Sequence, residues 1–155
     1  MAMFELPNDP ATQLAFDFFY RFARLEYALK ASGFVKGRPD AAPNWGRFVV
    51  KHADAYKVTG AAAELMTEPP LAQVVIEGTN DMAWKPVDLS KCRSELAMVV
   101  RLLKTMRNNL FHGGKKGPEG WSQPLRMTQL LNCGVVVIEE LVILGDLKAD
   151  YELPG

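Results

Sequence analysis

A chain of 155 residues, 48% of them apolar and 23% charged, is long enough to bury a core unaided, which excludes a disordered tail or a disulfide-stapled miniprotein. Eighteen basic and eighteen acidic side chains leave no net charge, which excludes a generic polyanion binder of the histone-tail kind. The two cysteines, Cys92 and Cys133, lie in apolar-periodic stretches with no Cys or His at metal-ligand spacing, so both read as reduced core residues and no metal or other cofactor is expected.

The first residues lack a basic start followed by an apolar run, and no later stretch approaches the roughly 18 uninterrupted apolar residues of a membrane span. A cytoplasmic protein with no membrane contact is expected. Asp9 is a fitting helix cap and Pro10 a fitting first-turn residue for a long first helix. Leu14, Phe18, Phe22, Leu25 and Leu29 form its apolar stripe, and Gly33 ends it. Its many aromatics, Phe16, Phe18, Phe19, Tyr20, Phe22 and Tyr27, read as core and dimer surface rather than a base-stacking platform. Residues 37–44 are a loop, and Asn44 caps a second helix striped by Trp45, Phe48, His52, Ala55 and Tyr56.

From residue 60 to residue 86 the pattern weakens. A short turn of helix is expected around Leu65, residues 71–77 are assigned to a helix, and residues 78–81 and 85–86 to connectors. The clearest segment starts at Asp88 or Ser90, runs through Leu96, Val100, Leu103 and Arg107, and stops at Gly113 and Gly114, with His112 in its last turn. After a polar loop, Ser122 and Pro124 open a final helix carrying Leu130, Leu131, Val135, Ile138, Leu141 and Val142. The expectation is a single domain over residues 1–155, all-α, an up-down bundle of four to five helices.

Charge is separated along the chain. Residues 91–116 hold seven basic side chains and the single acid Glu95, whereas the last helix and its tail are mainly acidic. Arg107 takes a position, four after Leu103 and three before Leu110, where the stripe asks for a hydrophobe. An arginine so placed needs a partner: a carboxylate such as Glu26, a second subunit or a bound phosphate. His112 follows five residues on, about 140° around an ideal helix and roughly 7.5 Å along it, so within one chain the two groups are not ideally convergent. Asn108 lies one turn before His112 and can orient its ring. Arg47 and His52 share the same spacing, but there the histidine falls on the apolar stripe and the arginine off it, which reads as a core or boundary histidine beside a solvated arginine.

The run Arg107-Asn108-Asn109-Leu110-Phe111-His112 near the end of a penultimate long helix resembles the R-x4-6-H motif of the HEPN superfamily, and the first helix is similar to that of several HEPN groups. Gly114 stands where toxin-type members carry a tyrosine. The resemblance implies an HEPN-like bundle and a metal-independent endoribonuclease, a hydrolase working as a homodimer on single-stranded RNA. Arg107, His112 and Asn108 would be its catalytic residues, and Lys104, Asn109, Lys115 and Lys116 would hold substrate. It further implies a defence or toxin–antitoxin effector with an antitoxin or regulatory protein as partner. The alternative reading is a non-catalytic HEPN-like module for dimerisation or for nucleotide, RNA or protein binding.

Overall fold

Local capping chemistry sets the first helix, α1 (Pro10–Ala31). The Asp9 carboxylate accepts from the Thr12 backbone N–H at 3.0 Å and from its hydroxyl at 2.7 Å, and these bonds hold Asp9 below the ordinary carboxylate range. At the other end the Gly33 N–H returns to the Lys30 carbonyl and the Phe34 N–H to that of Leu29, a Schellman closure. It needs the left-handed φ of +93° that Gly33 supplies.

The computed structural model describes residues 1–111 and 123–153. After α1 come strands β1 (Val35–Lys36) and β2 (Ala42–Pro43), helices α2 (Trp45–His52) and α3 (Gly60–Thr67), and strands β3 (Leu71–Val75) and β4 (Met82–Pro86). Helices α4 (Glu95–Phe111), α5 (Pro124–Leu144) and α6 (Lys148–Glu152) complete the described chain. Phe18, Phe22, Leu25 and Leu29 of α1, Leu96, Leu102 and Leu103 of α4, and Val137, Ile138 and Leu141 of α5 are fully or almost fully buried in one cluster that also takes in Phe48, Leu65 and Tyr151. Arg24 of α1 caps α6 by donating to the carbonyls of Asp150 and Tyr151, and Arg21 bridges Asp17 and Glu139, onto which the Tyr151 hydroxyl also donates.

The all-α bundle is overturned by two antiparallel hairpins. In one, β1 pairs with β2, Lys36 opposite Ala42; in the other, β3 pairs with β4 in a register that sets Leu71 against Pro86 and Val75 against Met82. Residues 71–77, assigned to a helix, are thus mostly strand, and Lys85 and Pro86 belong to β4 rather than a connector. The reason is local: Val74, Val75 and Ile76 are β-branched, and Gly78 at φ +76° lets the chain turn so that the Ile76 N–H reaches the Asp81 carbonyl at 2.8 Å. Helix α3 is also longer than a single turn, and α6 is a helix that periodicity did not announce.

Helix α4 starts later than expected. Ser94 accepts from the Ala97 N–H at 3.1 Å and serves as its cap, while Asp88 accepts from the backbone and hydroxyl of Ser90 in a turn upstream. Gly113, Gly114 and Ser122 lie outside the described residues. Cys133 is a core thiol as expected, donating to Glu64 at 3.1 Å and pushed up to about 11 chiefly by burial, whereas Cys92 is only half-buried.

Helix α5 has no uninterrupted apolar run of roughly 18 residues, yet by length and mean composition it is apolar enough to cross a membrane. Half of its most apolar window is buried inside the protein, with α1, α3 and α4 packed around it, so the apolarity serves the core. Closest approach falls at Gly134, where an added Cβ would lie 2.7 Å from both Phe18 Cε2 and Met106 Cε. Gly134→Val is therefore expected to cost about 1–3 kcal/mol by overpacking and to lower Tm by several degrees. Gly60→Ala, which meets nothing within 4 Å, should instead raise stability by about 0.4–1 kcal/mol; thermal melts monitored by circular dichroism check both.

Candidate functional site

Helix α4 presents Leu103 and Met106 to the core and turns Arg107 to the border of that face, towards α1. Its guanidinium carbon lies 5.2 Å from the centre of the Phe22 ring, and its Nη1 is 3.8 Å from Glu26 Oε1. The first is a cation–π contact; the second is an ion pair too long to be a hydrogen bond. The side chains are 30% and 19% exposed, so neither charge has full access to water.

Glu26 is fixed from a third element. The indole N–H of Trp45, at the start of α2, donates to Glu26 Oε2 at 2.8 Å, and the Trp45 ring sits 6.0 Å from that of Phe22. Asn44 places Trp45 there by capping α2 through the Arg47 N–H at 3.1 Å, as the sequence predicted. One carboxylate therefore ties α1, α2 and α4 together, yet Arg107 Nε remains enclosed with no acceptor among the described residues. Among the described residues this arginine is incompletely satisfied.

Beside it opens a groove of about 290 Å³ whose floor includes Phe22, Glu26 and Arg107. Asn108 is exposed on its rim. Phe19 and Phe111 form the apolar wall, stacked with centroids 6.1 Å apart and planes 10° from parallel, and Phe111 is 66% exposed. Sequence reasoning placed Arg107, Asn108 and Glu26 here but missed Trp45, Phe22 and the Phe19–Phe111 pair. Phe22 and Glu26 stand four apart on α1, so their shared face was legible, whereas nothing in the spacing linked Trp45 to Glu26.

Other expected site residues divide. Lys104 is half-buried one turn before Arg107, and burial together with the Arg107, Lys36 and Arg101 cations lowers its pKa against the opposing pull of Glu26. Asn109 points elsewhere: its side-chain amide donates to the Leu71 carbonyl at 2.8 Å and pins the β3–β4 hairpin to the end of α4. His112, Lys115 and Lys116 lie outside the described residues. The decoy pair behaves as a structural pair, with His52 packed 4.7 Å from the Phe48 ring and lowered in pKa by burial and Lys51, and Arg47 exposed.

Among the described residues no three His, Cys, Asp or Glu side chains come together in a way that could hold a metal ion. No family model, no curated protein and no solved structure matches this chain.

The division of labour at Glu26 is testable. Glu26→Ala strands the Trp45 N–H and should cost about 1–3 kcal/mol, whereas Glu26→Gln keeps an acceptor for the indole and loses only a partly screened charge, worth no more than about 1 kcal/mol. The expected order of Tm is wild type, then Gln, then Ala; a Gln variant as weak as Ala would show that the ion pair, not the indole bond, holds the three helices.

Proposed function

We propose that the chain is a metal-independent endoribonuclease of HEPN type, acting on single-stranded RNA at a site shared by two copies. The proposal rests on the Arg107–His112 motif, not on an all-helical frame. The observation that carries it is the state of Arg107: a permanent cation at the floor of a groove, set over Phe22, with its carboxylate partner beyond hydrogen-bond distance and its Nε without an acceptor among the described residues. A phosphodiester in the groove would supply the oxygen acceptors this guanidinium lacks.

In the proposed reaction the ribose 2′-oxygen attacks the adjacent phosphorus, a new 2′-O–P bond forms and the P–O5′ bond breaks. The products are a 2′,3′-cyclic phosphate and a 5′-hydroxyl. One His112 takes the 2′-OH proton and the partner's His112, or a water, protonates the departing O5′. Arg107 offsets the charge growing on the phosphorane, and Asn108 orients the imidazole or a phosphate oxygen. Exposed aromatics next to the groove suit the required dimer: Phe16 and Tyr20 are 55% and 63% exposed and lie within a helical turn of Phe19. The enzyme would work in the cytoplasm as a defence or toxin-type effector restrained by an antitoxin or regulatory protein.

One observation favours a second reading, a non-catalytic binding or dimerisation module. The Glu26 carboxylate, held by Trp45, stands in the groove and would repel a phosphate approaching Arg107.

Cleavage separates the two. The purified chain is expected to cut single-stranded RNA in EDTA and leave 2′,3′-cyclic phosphate ends. His112→Ala should lower the rate by about 10²–10⁴ and Arg107→Lys by about 10²–10³, each with an unchanged far-ultraviolet spectrum. Equal cleavage by the double variant, or none by the wild type, removes the nuclease.

A further inference from the structure

The protein pairs most of its partly buried cations within its own fold. Arg21 is bound by Asp17 and Glu139, Arg126 by Glu68, and Arg24 by the carbonyls that end α6. A row of basic side chains on α4 has less such pairing: Arg101 is exposed, Lys104 is half-buried and Arg107 has only its long pair with Glu26. Arg101, Lys104 and Arg107 recur every third residue on α4, each about 4.5 Å further along the axis, so that together they span about 9 Å. A fourth cation joins them from sixty-odd residues earlier in the chain (roughly the separation that only folding closes): Lys36, on β1.

Lys36 is held in place by main-chain bonds rather than by chance of a long side chain. The Schellman closure fixes Phe34 to α1, the Asn44 N–H donates to the Phe34 carbonyl at 2.8 Å, and β1 pairs with β2. Lys104 consequently has the cations Arg107, Lys36 and Arg101 as electrostatic neighbours and only Glu26 as a nearby carboxylate. Asp88 lies near Arg101. Among the described residues, Lys36, Arg101 and Lys104 form no ion pair within 4.0 Å. The like charges repel one another, weakly where Lys36 and Arg101 face solvent and more at half-buried Lys104, and an external anion would relieve that repulsion.

We infer that Lys36 and Arg101 extend the Arg107 groove into a track for the sugar–phosphate backbone of single-stranded RNA, running from β1 across α4 to the helix end. The inference deepens the nuclease reading and rests on it for the choice of ligand. Lys36 and Arg101 are backbone contacts on this track, remote from the reacting phosphate. They hold the strand through charge alone and so carry no base preference.

The test is binding of a fluorescent, 2′-O-methylated oligouridylate, which lacks the nucleophile and is not cut, followed by anisotropy across a range of salt concentrations. Four phosphate contacts predict that log K falls against log salt with a slope of about −2.8, and that Lys36→Gln and Arg101→Gln each flatten it by about 0.7. Lys148→Gln, which removes the same charge from exposed α6, should leave the slope unchanged. Wild-type slopes in both Lys36→Gln and Arg101→Gln, an equal flattening by Lys148→Gln, or no binding overturn the track. Flattened slopes in a chain that cuts no RNA would uphold the track and remove the nuclease, whereas cleavage with unaltered slopes would do the reverse.

Discussion

A guanidinium set at the edge of an apolar helix face is the constraint around which this molecule is arranged. Arg107 cannot shed its charge, so the fold must surround it with something that tolerates a cation: the Phe22 face beneath, the Glu26 carboxylate opposite and solvent in the groove. Glu26 in turn needs the Trp45 indole, Trp45 needs the Asn44 cap that starts α2, and Asn44 is tied to Phe34 in the turn that closes α1. The chain of dependence runs through short-range motifs that each have their own physical reason. It ends on an atom, Arg107 Nε, that nothing among the described residues satisfies. A structural arginine would be expected to finish with its donors occupied.

Competition between Glu26 and an incoming phosphate need not be fatal to anion binding. At 3.8 Å the carboxylate contributes attraction without the directional bond that would lock the guanidinium, and its own strong hydrogen bond goes to the indole instead. The arrangement keeps the guanidinium near the groove and leaves its donors for a better acceptor. It also limits how much repulsion the crowded cations of α4 impose, since Glu26 acts on Lys104 as well as on Arg107.

The longer helices were legible in the sequence because their apolar positions repeat, unlike α3 and α6. α1 and α5 begin at the prolines that mark them, α2 at its asparagine, and the stripe of α4 is readable through Leu96, Val100 and Leu103. The strands were not, since β1 and β2 are two residues each, and β3 is a five-residue apolar run that periodicity cannot tell from a helical turn. The β-branched content of residues 74–76 and the Gly78 turn were the signals to weigh more heavily. At the site, the misfit of Arg107 and the candidacy of Glu26 follow from spacing alone, but Trp45 and Lys36 reach the site only through tertiary packing. Asn109 shows the converse: adjacent to Asn108 in sequence, it spends its amide on the β3 backbone.

The proposed two-copy site has a physical motive in the spacing of its motif. Five residues separate Arg107 from His112, a spacing that turns by about 140° on an ideal helix, so the site proposed above is easier to assemble from two copies than from one. A second copy related by a two-fold axis would remove the difficulty, because each groove would then face the other's helix end. The surface available for that contact is already apolar and aromatic: Phe111 stacks on Phe19 at the groove wall, with Phe16 and Tyr20 beyond it on α1. Aromatic residues left in water beside a cation are costly in a monomer and useful at an interface, where they exclude water from the charge they border. Under the proposed reading a second copy would cover the same stretch of α1 and α4 that lines the groove, and whatever orders one would order the other.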